Sequence, residues 1–103
     1  MIIVHFYSFR TDYQKEILRK YLPETAQSFL REKEEVILLF QVADCGEYEI
    51  VVTIHRTPDQ PFIGWKEMQS FQSAIQDLIH DHCHRSCRSI AKDRIKVVYL
   101  SEK

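Results

Sequence analysis

Along residues 2–9 the side chains alternate, with Ile2, Val4, Phe6 and Ser8 on one side of a strand and Ile3, His5, Tyr7 and Phe9 on the other. Both sides carry apolar or aromatic groups, which predicts an interior strand covered on both faces. The period then becomes helical. Tyr13, Ile17 and Tyr21, flanked by Leu18 and Leu22, fall on one stripe, while Lys15, Glu16, Arg19 and Lys20 fill the other. Thr11 and Gln14 have the spacing of a capping box at the start of this helix. Pro23 interrupts the stripe, predicting a strong kink or a second segment over 24–33 with Ala26, Phe29 and Leu30 inward.

Two β-rich runs follow, 36–43 and 48–55, separated by Asp44, Cys45, Gly46 and Glu47. Gly46 sits where a short loop needs positive φ, so the spacing predicts a β-hairpin. In the second run Tyr48, Ile50, Val52 and Ile54 make an apolar face, and Glu49, Val51, Thr53 and His55 a mixed one. A two-proline loop over 57–64 leads into Trp65. From there Met68, Phe71, Ile75, Leu78, Ile79, His82 and Ser86 lie on one side of a long helix that frays near 86–89. Residues 95–100 alternate again as a last strand.

The order strand, helix, strand, strand, helix, strand predicts a ferredoxin-like βαββαβ sandwich. That is a single α+β domain spanning 1–103, with a four-stranded antiparallel sheet and both helices on one face. Strands one and three would be central and parallel. The other face would carry Ile3, His5, Tyr7, Phe9, Glu49, Val51, Thr53 and His55, too much apolar surface to leave wet, so a homodimer is expected to cover it, the alternative being a third helix after Pro23 or a tail that folds back over it. The element order resembles the dimeric α+β barrel group, which includes small cofactor-independent monooxygenases, isomerases and ligand-sensing domains. This resemblance implies a barrel formed by two copies.

Composition narrows the picture only a little. The 103 residues are 45% hydrophobic and 28% charged with a net charge of −1, a balance that argues against nucleic acid or an anionic membrane as partner. The acidic run around Glu47 and Glu49 argues the same way for single-stranded RNA. No apolar run approaches the ~20 residues of a membrane span. Cys45, Cys83 and Cys87 form an odd set in a chain that begins without a basic, apolar leader, which predicts free thiols and a cytoplasmic location.

Three constellations carry candidate chemistry. On the sheet face, His5, Tyr7, Thr53, His55 and Glu49 offer an imidazole beside a carboxylate that could act as a general base, for a cofactor-independent enzyme using His5, Tyr7 or His55; inert histidines at an interface are the competing reading. Near the end of the second helix, His80, Cys83, His84 and Cys87 are zinc-type ligands at i, i+4 spacing, although one helix cannot complete a tetrahedron. A polar helix end rich in histidine is the plainer interpretation. In the proline loop, Phe62 and Trp65 would present a binding knob for a partner, or else cap the core. The expected function is a homodimeric, non-catalytic binding or regulatory module without a cofactor. The alternatives are a cofactor-independent isomerase or monooxygenase and a zinc-binding protein.

Overall fold

The computed structural model of the chain describes residues 1–8, 15–29, 35–56, 65–85 and 88–100. Strand β1 (Ile2–Ser8) is followed by helix α1 (Lys15–Gln27), strands β2 (Val36–Val42) and β3 (Ile50–Arg56), and helix α2 (Trp65–His82). The short strands β4 (His84–Arg85) and β5 (Arg88–Ser89) form a small ribbon, and a 3-10 turn (Lys92–Arg94) leads into β6 (Ile95–Leu100). The main sheet runs β2-β1-β3-β6.

Neighbour directions correct the ferredoxin-like expectation. β1 pairs with β2 in parallel, β1 with β3 antiparallel, and β3 with β6 in parallel. The sheet is therefore mixed, and its two central strands run antiparallel rather than parallel. The expected hairpin is absent as well, since β2 and β3 lie on opposite sides of β1. Residues 43–49 carry the chain past the end of β1, and Ser8 anchors them on both sides. Its carbonyl accepts the Ala43 N–H at 3.0 Å, and its hydroxyl donates to the Glu49 carbonyl at 3.2 Å. Gly46 does adopt the left-handed conformation, with φ 63°, and its N–H is held by the Asp44 carboxylate at 2.9 Å. The glycine was read correctly as a turn residue; the turn makes a crossing instead of a hairpin.

Two βαβ units result, β1-α1-β2 and β3-α2-β6, joined back to back along β1 and β3. The core lies between the sheet and the helices. Ile2, Val4 and Phe6 of β1 and Ile50, Val52 and Ile54 of β3 meet Leu18, Leu22 and Ala26 of α1 and Phe71, Ile75 and Ile79 of α2, all essentially solvent-free. Alternation along β1 is thus realised as read, even side chains inward and odd ones half-buried on the far side.

Helix α1 continues through Pro23 as one segment and ends at Gln27, so the chain does not split at Pro23; residues 30–33 of the expected second segment lie outside the described residues. A proline forgoes the bond its N–H would make to the carbonyl four residues back and crowds that carbonyl with its ring, and burial of Leu18, Leu22 and Ala26 offsets this cost. Phe29 lies beyond the helix and still packs on Phe71, with ring centroids 5.6 Å apart. The capping box and Leu30 lie outside the described residues.

Helix α2 stops at His82, short of the expected reach to residue 86. His82 is exposed rather than inward, stacked on Tyr21 of α1 at 5.2 Å. Cys83 then turns into the core, completely buried, and the β4–β5 ribbon reverses the chain. Lys92 binds Asp77 at 2.8 Å, tying the 3-10 turn to α2; this hydrogen bond and the Asp77 charge hold the Lys92 ammonium above its ordinary pKa.

Candidate functional site on the open sheet face

Strand register arranges the outer sheet face in three rows. Across β2, β1, β3 and β6 these read Ile37, Ile3, His55, Leu100; then Leu39, His5, Thr53, Val98; then Gln41, Tyr7, Val51, Lys96. The helices lie on the opposite side, so among the described elements this face has no second layer. Leu39 and Leu100 remain 43% and 47% exposed at the two edges, and the central residues are half-buried.

The structure brings two of the three expected catalytic residues into contact. The Tyr7 hydroxyl lies 3.2 Å from His5 Nδ1, and the rings stack with centroids 4.2 Å apart and an interplanar angle of 17°. Side chains two apart on a strand point the same way, which is why His5 and Tyr7 meet. His5 faces Thr53 directly, so His55 stands one row away on the diagonal, a neighbour spacing of ~7–8 Å. His5 and Tyr7 form a hydrogen-bonded, stacked pair, and His55 is a neighbour outside their contact. Sequence reading did not find Cys45 here: its thiol donates to the Tyr7 carbonyl at 3.3 Å, binding the crossing loop to β1. Only the β2–β1–β3 crossing, which the pattern had read as a hairpin, places Cys45 against Tyr7.

The zinc-type constellation loses the geometry that suggested it. Because α2 ends at His82, Cys83 and His84 do not share a helical face with His80. His80 Nδ1 contacts the Ile90 carbonyl at 2.7 Å, and Cys83 is sealed in the core. Cys87, the His84 side chain, Phe62 and the Trp65 side chain lie outside the described residues. Among the described residues, no three His, Cys, Asp or Glu side chains cluster as a metal site. No helix among them is long and apolar enough to cross a membrane.

A shallow groove of about 390 Å³ lies elsewhere, along β6, lined by Gln69, Gln72, Ser73, Gln76 and Val97. It contains none of the expected catalytic groups.

Paired βαβ units backing one mixed sheet, with the other face open, define a class of small α+β protein. Solved structures of this class are similar over nearly the whole chain. The MIF2 protein of Leishmania major has a TM-score of 0.73 at 14% identity, covering 99% of this chain and 89% of its own. The macrophage migration inhibitory factor of Oncomelania hupensis has a TM-score of 0.65 at 11% identity, covering 98% of this chain and 85% of its own. No protein-family model matches the sequence, and no curated protein matches it. The likeness is one of fold.

Proposed function

We propose that the protein is a homodimeric, non-catalytic binding or regulatory module of the cytoplasm, with the open sheet face as its working surface. One observation carries this reading: the contiguous rows containing Ile3, Ile37, Leu39, Val51, Val98 and Leu100, backed by helices on one side only. A second copy of the same face would cover them, two twisted sheets packing aligned about 10 Å apart. Sedimentation velocity from about 1 to 100 μM tests this, being the range over which ~8 to ~5 kcal/mol of association is read directly. A dimer is expected; a monomer throughout would refute the reading.

The His5–Tyr7 contact favours a second reading, a cofactor-independent isomerase. Moving a proton beside a carbonyl needs one group to take it and another to stabilise the enol, and an imidazole with a phenol can fill both roles. Hydrogen–deuterium exchange of a panel of small 2-keto acids, followed by proton NMR, separates the two readings. Exchange that disappears in Tyr7→Phe and in His5→Ala/His55→Ala, with assembly unchanged, would establish the enzyme. Equal solvent exchange with and without the wild-type protein would remove it.

A further inference from the structure

The groove along β6 is built from one flank of α2 and one strand residue. Gln69, Gln72, Ser73 and Gln76 recur at i, i+3, i+4 and i+7, which sets them on one stripe ~10 Å long beside the outer edge of the strand. Gln72 and Gln76 are half-buried, whereas Gln69 and Ser73 are exposed. The Gln76 amide donates to the Ile95 carbonyl at 2.9 Å and the Gln72 amide to the Val97 carbonyl at 3.3 Å. Four residues on a helix span ~6 Å and two on a strand ~6.6 Å, so these glutamines match alternate carbonyls of β6. The acceptors an added strand would need are thus engaged from within the chain.

What the groove offers is neutral hydrogen bonding. A carbonyl oxygen only accepts, so each glutamine must turn its amide nitrogen to the strand, and its own Oε1 faces away from that bond. Each carboxamide also keeps a second N–H. The Val97 N–H leaves β6 on the same side as the Val97 carbonyl, because a parallel ladder engages both groups of alternate residues. Ser73 adds a hydroxyl and Gln69 a third amide. No charged side chain lines the groove, and Asp77, next to Gln76 in the chain, is bound by Lys92 at 2.8 Å. Val97 supplies an apolar patch at the wall.

We propose that this groove binds a neutral carbohydrate of one or two pyranose rings. A sugar hydroxyl both donates and accepts, which matches lining amides and a hydroxyl that do the same, and the C–H face of the ring rests on Val97. A phosphate or carboxylate would find no cation here, and an acyl chain or flat aromatic would find too little apolar wall. The volume of about 390 Å³ stands at the low end of small-molecule sites, ~300–1,000 Å³. A shallow site without charge pairing holds its ligand weakly, so millimolar affinity is expected. Val97 lies on the helix side of the sheet, so the site is separate from the open face and independent of what covers it.

The test titrates the isotope-labelled full chain with glucose, galactose and maltose, with glucuronate as the charged control. Binding is read by NMR from backbone amides and from the side-chain amide signals of Gln69, Gln72 and Gln76. At least one neutral sugar should give saturable shifts centred on these glutamines, Ser73 and Val97, insensitive to salt. Gln69→Ala/Ser73→Ala removes two exposed partners without touching the bonds to β6, and affinity should fall on the order of tenfold. Both positions face solvent, so the variant keeps its fold, which its amide spectrum verifies. No saturable shift with any of the three sugars up to ~100 mM would overturn the proposal, since a millimolar site would then be filled. So would affinity unchanged in the double variant, or shifts centred on the open face. Tighter, salt-sensitive binding of glucuronate would overturn it too, marking a site for anions instead.

Discussion

Replacing both Leu39 and Leu100 by Thr removes the two most exposed leucines of the open face while keeping β-compatible side chains. Full burial of a leucine is worth ~1.5–3 kcal/mol. With 43% and 47% of each residue still accessible, covering the remainder would contribute about 0.6–1.4 kcal/mol per leucine. A symmetric dimer counts every position twice, so four leucines supply about 3–5 kcal/mol of association, or roughly two to four decades in Kd. Threonine keeps part of this, so the variant should shift the dimer–monomer midpoint by at least about tenfold. Sedimentation velocity over a concentration series reads that shift, and thermal melting of the variant checks the fold. Each leucine is already about half covered in the monomer, so the variant should also lose on the order of 1–2 kcal/mol of folding stability, which the melting measurement reads separately from the shift in midpoint. An unchanged midpoint in a well-folded variant would show that copies meet through another surface.

Three further substitutions probe the fold that holds the face. Gly46→Ala meets no atom within 4 Å of the added carbon, so its cost is the strain of φ 63° alone, about 1–2 kcal/mol by denaturant unfolding. Ser8→Ala breaks the hydroxyl contact to the Glu49 carbonyl under the crossing loop and should cost about 1 kcal/mol in the same assay. Phe71→Ala empties the space between α2 and the sheet where Phe29 also packs. A loss of about 3–5 kcal/mol is expected, large enough to lower the melting temperature sharply.

How far the fold could be read depended on which rule each segment obeyed. Side-chain alternation is local, and it placed Ile3, His5 and Tyr7 on the open face and Ile2, Val4 and Phe6 in the core. The stripe of Met68, Phe71, Ile75 and Ile79 was equally legible because its period needs no tertiary knowledge. Strand order was not, since the sequence of residues 43–49 suits a hairpin and a crossing alike. The crossing is fixed by contacts from Ser8 and Tyr7, far away in the chain. The end of α2 was hidden because His82 continues the apolar stripe by number. Its imidazole finds Tyr21 outside the core, and Cys83, one residue later, takes the buried place. The metal constellation depended on the helix continuing, and it dissolved with that turn.

The duplicated βαβ plan gives the two edges their significance. β2 and β6 hold equivalent places, each an outer strand parallel to the central strand that precedes its crossover helix. Topology therefore treats them alike, and any difference between them belongs to side chains. On α2 the flank over the edge carries Gln72 and Gln76, short neutral amides that satisfy strand carbonyls from within the chain. On α1 the corresponding flank carries Lys15 and Arg19, which lie 5.5 and 4.9 Å from the centroid of the Phe40 ring on β2 itself. Amides bonded to strand carbonyls at one edge and cations over an aromatic ring at the other are thus side-chain choices laid on one backbone plan, and each dresses an edge that would otherwise risk indiscriminate pairing.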